Sequence, residues 1–120
     1  MLISRAGVLF VIFLAPPSAA LAHAYLVKSI PAQRAVLYRA PAKIQLWFNE
    51  RLEARYSSLT VTGPEGNTVA LVKMAVGRDD PKLIAADIRP LAAGRYVVKY
   101  RVLSVDGHVV HDEFYFTVKQ

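Results

Sequence analysis

Arg95-Tyr96-Val97-Val98-Lys99-Tyr100-Arg101-Val102-Leu103 is the longest alternating stretch in the chain. In an extended backbone, successive side chains point to opposite faces. Tyr96, Val98, Tyr100 and Val102 therefore share one face, and Val97, Lys99 and Arg101 share the other. That pattern predicts a strand half-buried in a sheet. Glu113 to Lys119 repeats it, with Phe114, Phe116 and Val118 on one side and Tyr115, Thr117 and Lys119 on the other.

Upstream, Lys43 to Phe48 (KIQLWF) places Ile44, Leu46 and Phe48 on one face. Ser57 to Thr62 points Leu59 and Val61 inward, and a dense turn signal follows at Gly63-Pro64-Glu65-Gly66-Asn67. Thr68 to Met74 and Lys82 to Ile88 resume an extended pattern. Tyr25 to Ile30, closed by Pro31, reads as a first edge strand. Leu52 to Tyr56 reads as a helical turn, and Trp47 as a core or sheet-face residue. About seven short strands with turn signals between them predict an all-β, Greek-key β-sandwich of immunoglobulin-like type. The Cys…Trp…Cys signature of antibody domains is absent, because the chain has no cysteine.

The 120 residues are 54% apolar and 20% charged, which suits one globular domain. Without cysteine there is no disulfide, no thiolate metal site and no cysteine nucleophile. The net charge is +6, but the cations Arg34, Arg39, Arg51, Arg55, Arg78, Arg89, Arg95 and Arg101 are scattered. A scattered positive charge reads as a solvated surface and not as a nucleic-acid interface.

The N-terminus has the three parts of a secretory signal. Arg5 supplies the positive charge, Ala6 to Ala15 (AGVLFVIFLA) is unbroken apolar chain, and Ala20-Leu21-Ala22 fits the cleavage pattern. A span needs about twenty apolar residues, so residues 1–22 are expected to be a cleaved signal peptide, with residues 23–120 as one domain. Cleavage removes Arg5 and leaves fourteen Lys+Arg against nine Asp+Glu.

The three histidines, His23, His108 and His111, carry the chemistry. Processing after Ala22 gives His23 a free α-amine beside its imidazole, so amine and Nδ1 can chelate one metal ion. Otherwise His23 is simply the residue that follows the cleavage. Asp106-Gly107-His108 puts a carboxylate and an imidazole two residues apart, on one side of an extended segment. It also reads as an Asp-Gly turn beside a solvated histidine. Taken together, the groups form a set of three nitrogens and one oxygen. Such donors suit Cu(II) best, with Ni(II) behind and Zn(II) in tetrahedral geometry. His111 falls on the opposite face from His108 and reads as a surface residue. Glu50 reads as a solvated strand end. Met74 is the one methionine after residue 22, too little thioether for a soft Cu(I) site. A Ser104/His108/Asp106 hydrolytic triad is too compressed along one segment to work.

These residues resemble the CopC family of exported copper-binding proteins. The resemblance runs from His23 to Val118. It rests on the histidine after the signal, Ser29-Ile30-Pro31-Ala32, and Pro41-Ala42-Lys43-Ile44-Gln45-Leu46-Trp47-Phe48-Asn49-Glu50. It continues through Pro90-Leu91-Ala92-Ala93-Gly94-Arg95-Tyr96 and Val102-Leu103-Ser104-Val105-Asp106-Gly107-His108 to Phe114-Tyr115-Phe116-Thr117-Val118. It implies a cupredoxin-like or immunoglobulin-like sandwich in the periplasm, acting as a monomeric copper carrier or buffer in copper homeostasis and resistance. It implies a Cu(II) site of His23, Asp106 and His108, with Glu50 as a weaker candidate. It implies exchange with a membrane copper transporter or another periplasmic copper protein. The stretch matching the Met-rich Cu(I) loop of some members, Val72 to Pro81, holds only Met74. A second departure is Val109-Val110-His111-Asp112, which adds a weak adjacent site or nothing. Two other expectations remain open: an oxidative enzyme with a copper brace, and a metal-free interaction module.

Overall fold

The computed structural model describes residues 6–12 and 24–120. Most of the expected signal peptide, and His23 itself, lie outside the described residues. Among the described residues, nine strands run in chain order: β1 Leu26–Ile30, β2 Val36–Leu37, β3 Lys43–Phe48, β4 Ser58–Thr62, β5 Thr68–Val69, β6 Leu71–Val76, β7 Leu83–Ile88, β8 Gly94–Leu103 and β9 Val109–Val118. They form a four-stranded sheet, β1-β3-β7-β6, and a five-stranded sheet, β2-β9-β8-β4-β5. The all-β sandwich expected from alternation is the fold observed, with a short 3-10 turn at Ala54–Tyr56.

The count of about seven strands needs correction. The stretch from Thr68 to Met74 is two strands, because the chain leaves β4 through β5 and joins β7 of the other sheet through β6. Val36–Leu37 is a two-residue strand paired parallel to β9, too short to show a period. β9 begins at Val109, earlier than Glu113, and its first five residues are exposed or half-buried.

Alternation becomes burial on both inner faces. Ile44, Leu46 and Phe48 of β3 and Ile84, Ala86 and Ile88 of β7 face Leu59 and Val61 of β4, Val98 and Val102 of β8, and Phe116 and Val118 of β9. Tyr96 stacks on Phe116 with centroids 5.6 Å apart, and Phe48 meets Tyr100 edge-on at 5.3 Å. The Tyr96 hydroxyl donates to the Ala92 carbonyl at 2.7 Å, so its polar end is satisfied. Burial, with Asp112 nearby, pushes the Tyr100 phenol above its ordinary range. Trp47 takes the sheet-face position, on the outer side of β3, with the Lys28 ammonium 4.9 Å from its ring.

Met74 is half-exposed in β6, where a register shift between Val72 and Ala75 bulges the strand. Its sulfur lies 3.3 Å from the Leu59 amide, which donates to it across the gap between the sheets. Phe116 is fully buried at the centre of this packing. Phe116→Ala should lower the unfolding free energy by about 3–5 kcal/mol, measured by urea denaturation. Exposed Val27→Ala should change it by about 0.5 kcal/mol or less.

Candidate metal centre

β8 and β9 are joined by a tight turn, Ser104 to His108. The Ser104 amide donates to the His108 carbonyl at 3.0 Å, and the Gly107 amide donates back to the Ser104 carbonyl at 2.9 Å. Gly107 has φ +92°, a backbone state that disfavours a side chain. This turn brings Asp106 and His108 together. Asp106 Oδ1 lies 3.1 Å from His108 Nδ1, and the two side chains remain about one-third exposed.

Ser104 anchors the turn from beneath. It is fully buried, and its hydroxyl donates to Asp106 Oδ1. The His108 amide approaches both Ser104 Oγ and Asp106 Oδ1 at 3.4 Å. The Ser104 hydrogen bond, followed by the His108 contacts, holds the Asp106 carboxyl below its usual range, while some desolvation opposes them. Asp106 is therefore an anion at neutral pH. The hydroxyl points to the carboxylate and not to the imidazole, so these three residues do not have the geometry of a hydrolytic triad.

The segment 49–53 ties this turn to the start of the domain. The Val105 amide donates to the Arg51 carbonyl at 2.9 Å, the Glu53 amide donates to the Leu103 carbonyl at 2.8 Å, and Leu52 bridges to Ser104. On the other side, Asn49 Oδ1 accepts from the Tyr25 amide at 2.6 Å, and the Asn49 amide donates to the Tyr25 carbonyl at 3.2 Å. Ala24 is buried at 1% exposure, in the core cluster. Glu50 lies in the bend after β3, half-buried, between these two sets of contacts.

His111 does not join the cluster. It is exposed on β9 opposite Arg101, as expected of a surface histidine. It lines an open groove of about 580 Å³ on the five-stranded sheet, with Lys99, Arg101 and Glu113, and neither Asp106 nor His108 reaches that groove. Among the described residues, no group of three or more His, Cys, Asp or Glu is placed to hold a metal. The turn supplies two donors, and a tight site takes three or four. Sequence reasoning missed Asn49 altogether, because its partner is 24 residues away. It also gave Ser104 no role at the metal, although Ser104, Asp106 and His108 stand two residues apart in turn.

Folded Asp106 titrates below its unfolded counterpart. Its contribution to stability is therefore fully present above about pH 4 and is lost as the pH falls through the depressed folded value. In urea melts of the metal-free protein, the gap between wild type and Asp106→Asn should shrink as the pH is lowered through this range.

Comparison with known proteins gives a consistent set of relatives. A CopC domain family model matches residues 26–119. Copper resistance protein C of Escherichia coli is 39% identical over 108 residues, covering 83% of this chain and 84% of the relative. Copper resistance protein C of Pseudomonas syringae pv. tomato is 38% identical over 104 residues, covering 82% of each chain. The crystal structure of CopC from Methylosinus trichosporium OB3b matches with a TM-score of 0.73 at 34% identity, over 81% of this chain and 94% of that one. PcoC, a methionine-rich copper resistance protein from Escherichia coli, matches with a TM-score of 0.71 at 38% identity, over 82% of this chain and all of that one.

Proposed function

The chain belongs to the CopC family, and from that premise we propose that it is a periplasmic Cu(II) carrier or buffer. Residues 1–22 serve as the cleaved secretory signal, and the processed chain begins at His23. Cu(II) is the cargo. Its donors are the His23 amine and imidazole, the His108 imidazole and a carboxylate oxygen of Asp106.

The observation that carries this reading is the meeting of three segments at one end of the sandwich. Asn49 is hydrogen-bonded to Tyr25, two residues after His23, and Arg51 is hydrogen-bonded to Val105, next to Asp106. Donors bonded to one ion at about 2.0–2.1 Å and at a right angle lie about 2.9 Å apart. The 3.1 Å between Asp106 Oδ1 and His108 Nδ1 is compatible with that spacing, and also with a carboxylate that orients the ring toward an ion.

Nitrogen and carboxylate donors favour Cu(II). Met74, the one methionine after residue 22, has a sulfur that already accepts a hydrogen bond from Leu59 and supplies no comparable soft site. The protein acts as a carrier and not a catalyst, and a copper transporter or another periplasmic copper protein is its exchange partner.

A Cu(II) titration against a competing chelator tests the reading. The processed protein should bind one equivalent tightly. His108→Ala, or a single residue added before His23, should each weaken binding by about 100-fold or more. Affinity should fall on acidification, because protons compete with the metal for its nitrogen donors. Unchanged binding in both variants would refute the assignment.

A further inference from the structure

We infer that Ser104 is a positioning residue that sets how Asp106 and His108 present their donors to the metal. The inference rests on the Cu(II) reading above and concerns the same site.

Ser104 is the one fully buried polar side chain in the turn, at 0% exposure, and its backbone is held in place by the bridge to Leu52. A buried hydroxyl is costly unless it is hydrogen-bonded. Here the hydroxyl donates to Asp106 Oδ1, and Oγ lies 3.4 Å from the His108 amide. One hydroxyl thus touches both metal-facing residues from the protein side.

The consequence concerns the two carboxylate oxygens. Asp106 Oδ1 faces the Ser104 hydroxyl, the His108 ring nitrogen and the His108 amide. The Ser104 bond restrains the carboxylate torsion through Oδ1, the oxygen on which all three contacts fall. Without the hydroxyl, the carboxylate of an exposed turn residue can rotate about its side-chain torsions, and either oxygen, or both, can meet the ion. The His108 amide also loses one of its two distant acceptors. Groups that orient metal ligands in this way typically change affinity by about 10–100-fold when removed.

Ser104→Ala and Ser104→Thr, both processed to His23, test this with three readouts: Cu(II) affinity, the Cu(II) electron paramagnetic resonance spectrum, and the melting temperature of the metal-free protein. Ser104→Ala should melt within a few degrees of wild type. It should bind Cu(II) at least about 10-fold more weakly and give a changed or heterogeneous spectrum. Ser104→Thr, which keeps the hydroxyl, should recover the wild-type spectrum.

In wild-type protein, a slowly exchanging Ser104 hydroxyl proton should be visible by nuclear magnetic resonance, independently of whether the alanine variant folds. Its absence would overturn the inference. A wild-type spectrum and affinity in Ser104→Ala would overturn it while leaving the copper assignment standing. Weakened binding with a large fall in the metal-free melting temperature, and no recovery by threonine, would make the role structural and overturn it too. A wild-type protein that binds no Cu(II) would remove both the inference and the reading beneath it.

Discussion

β8 and β9 pair along ten consecutive residues, from Gly94 opposite Val118 to Leu103 opposite Val109. The rest of the molecule depends on this ladder. One of its faces supplies Tyr96, Val98, Val102, Phe114, Phe116 and Val118 to the core. Its hairpin end is the turn that carries Asp106 and His108. Because register in a half-buried pair is set by which side chains must be buried, the packing of Phe116 and Val98 also determines where the turn falls. The core and the candidate site are therefore two ends of one constraint.

The site adds little of its own framework. Two backbone hydrogen bonds and one bridge hold the turn and segment 49–53 together. The Ser104 hydroxyl does most to hold the Asp106 carboxyl below its usual range, with smaller contributions from His108. That arrangement leaves an anionic oxygen and an imidazole at a partly exposed edge, on a rigid support. A carrier has use for such a place, because cargo must enter and leave without rebuilding the domain. On the proposed Cu(II) reading, two donors from one turn leave the site incomplete without the chain start, and metal capture would then be coupled to processing of the N-terminus.

Much of the fold was legible because its strands are buried on one face. Lys43–Phe48 matches its sequence reading residue for residue, and the longest strand differs by one residue at its start. β2 was not legible, since two residues carry no period. The division at Ala70 was not legible either, because changing sheets leaves the local extended pattern intact. The start of β9 is exposed apart from half-buried Val110, so alternation has little to report there. At the site, the spacing of Asp106 and His108 pointed to their convergence. Asn49 was hidden because its hydrogen bond to Tyr25 depends on the pairing of strands distant in sequence.

The central claim is that the turn and the chain start share one Cu(II) ion. Pulsed electron paramagnetic resonance on the Cu(II)-loaded, processed protein counts the nitrogens bound to the metal and separates imidazole from amine. The account predicts two imidazoles and one amine, with one imidazole signal lost in His108→Ala. A single imidazole with no amine would contradict it.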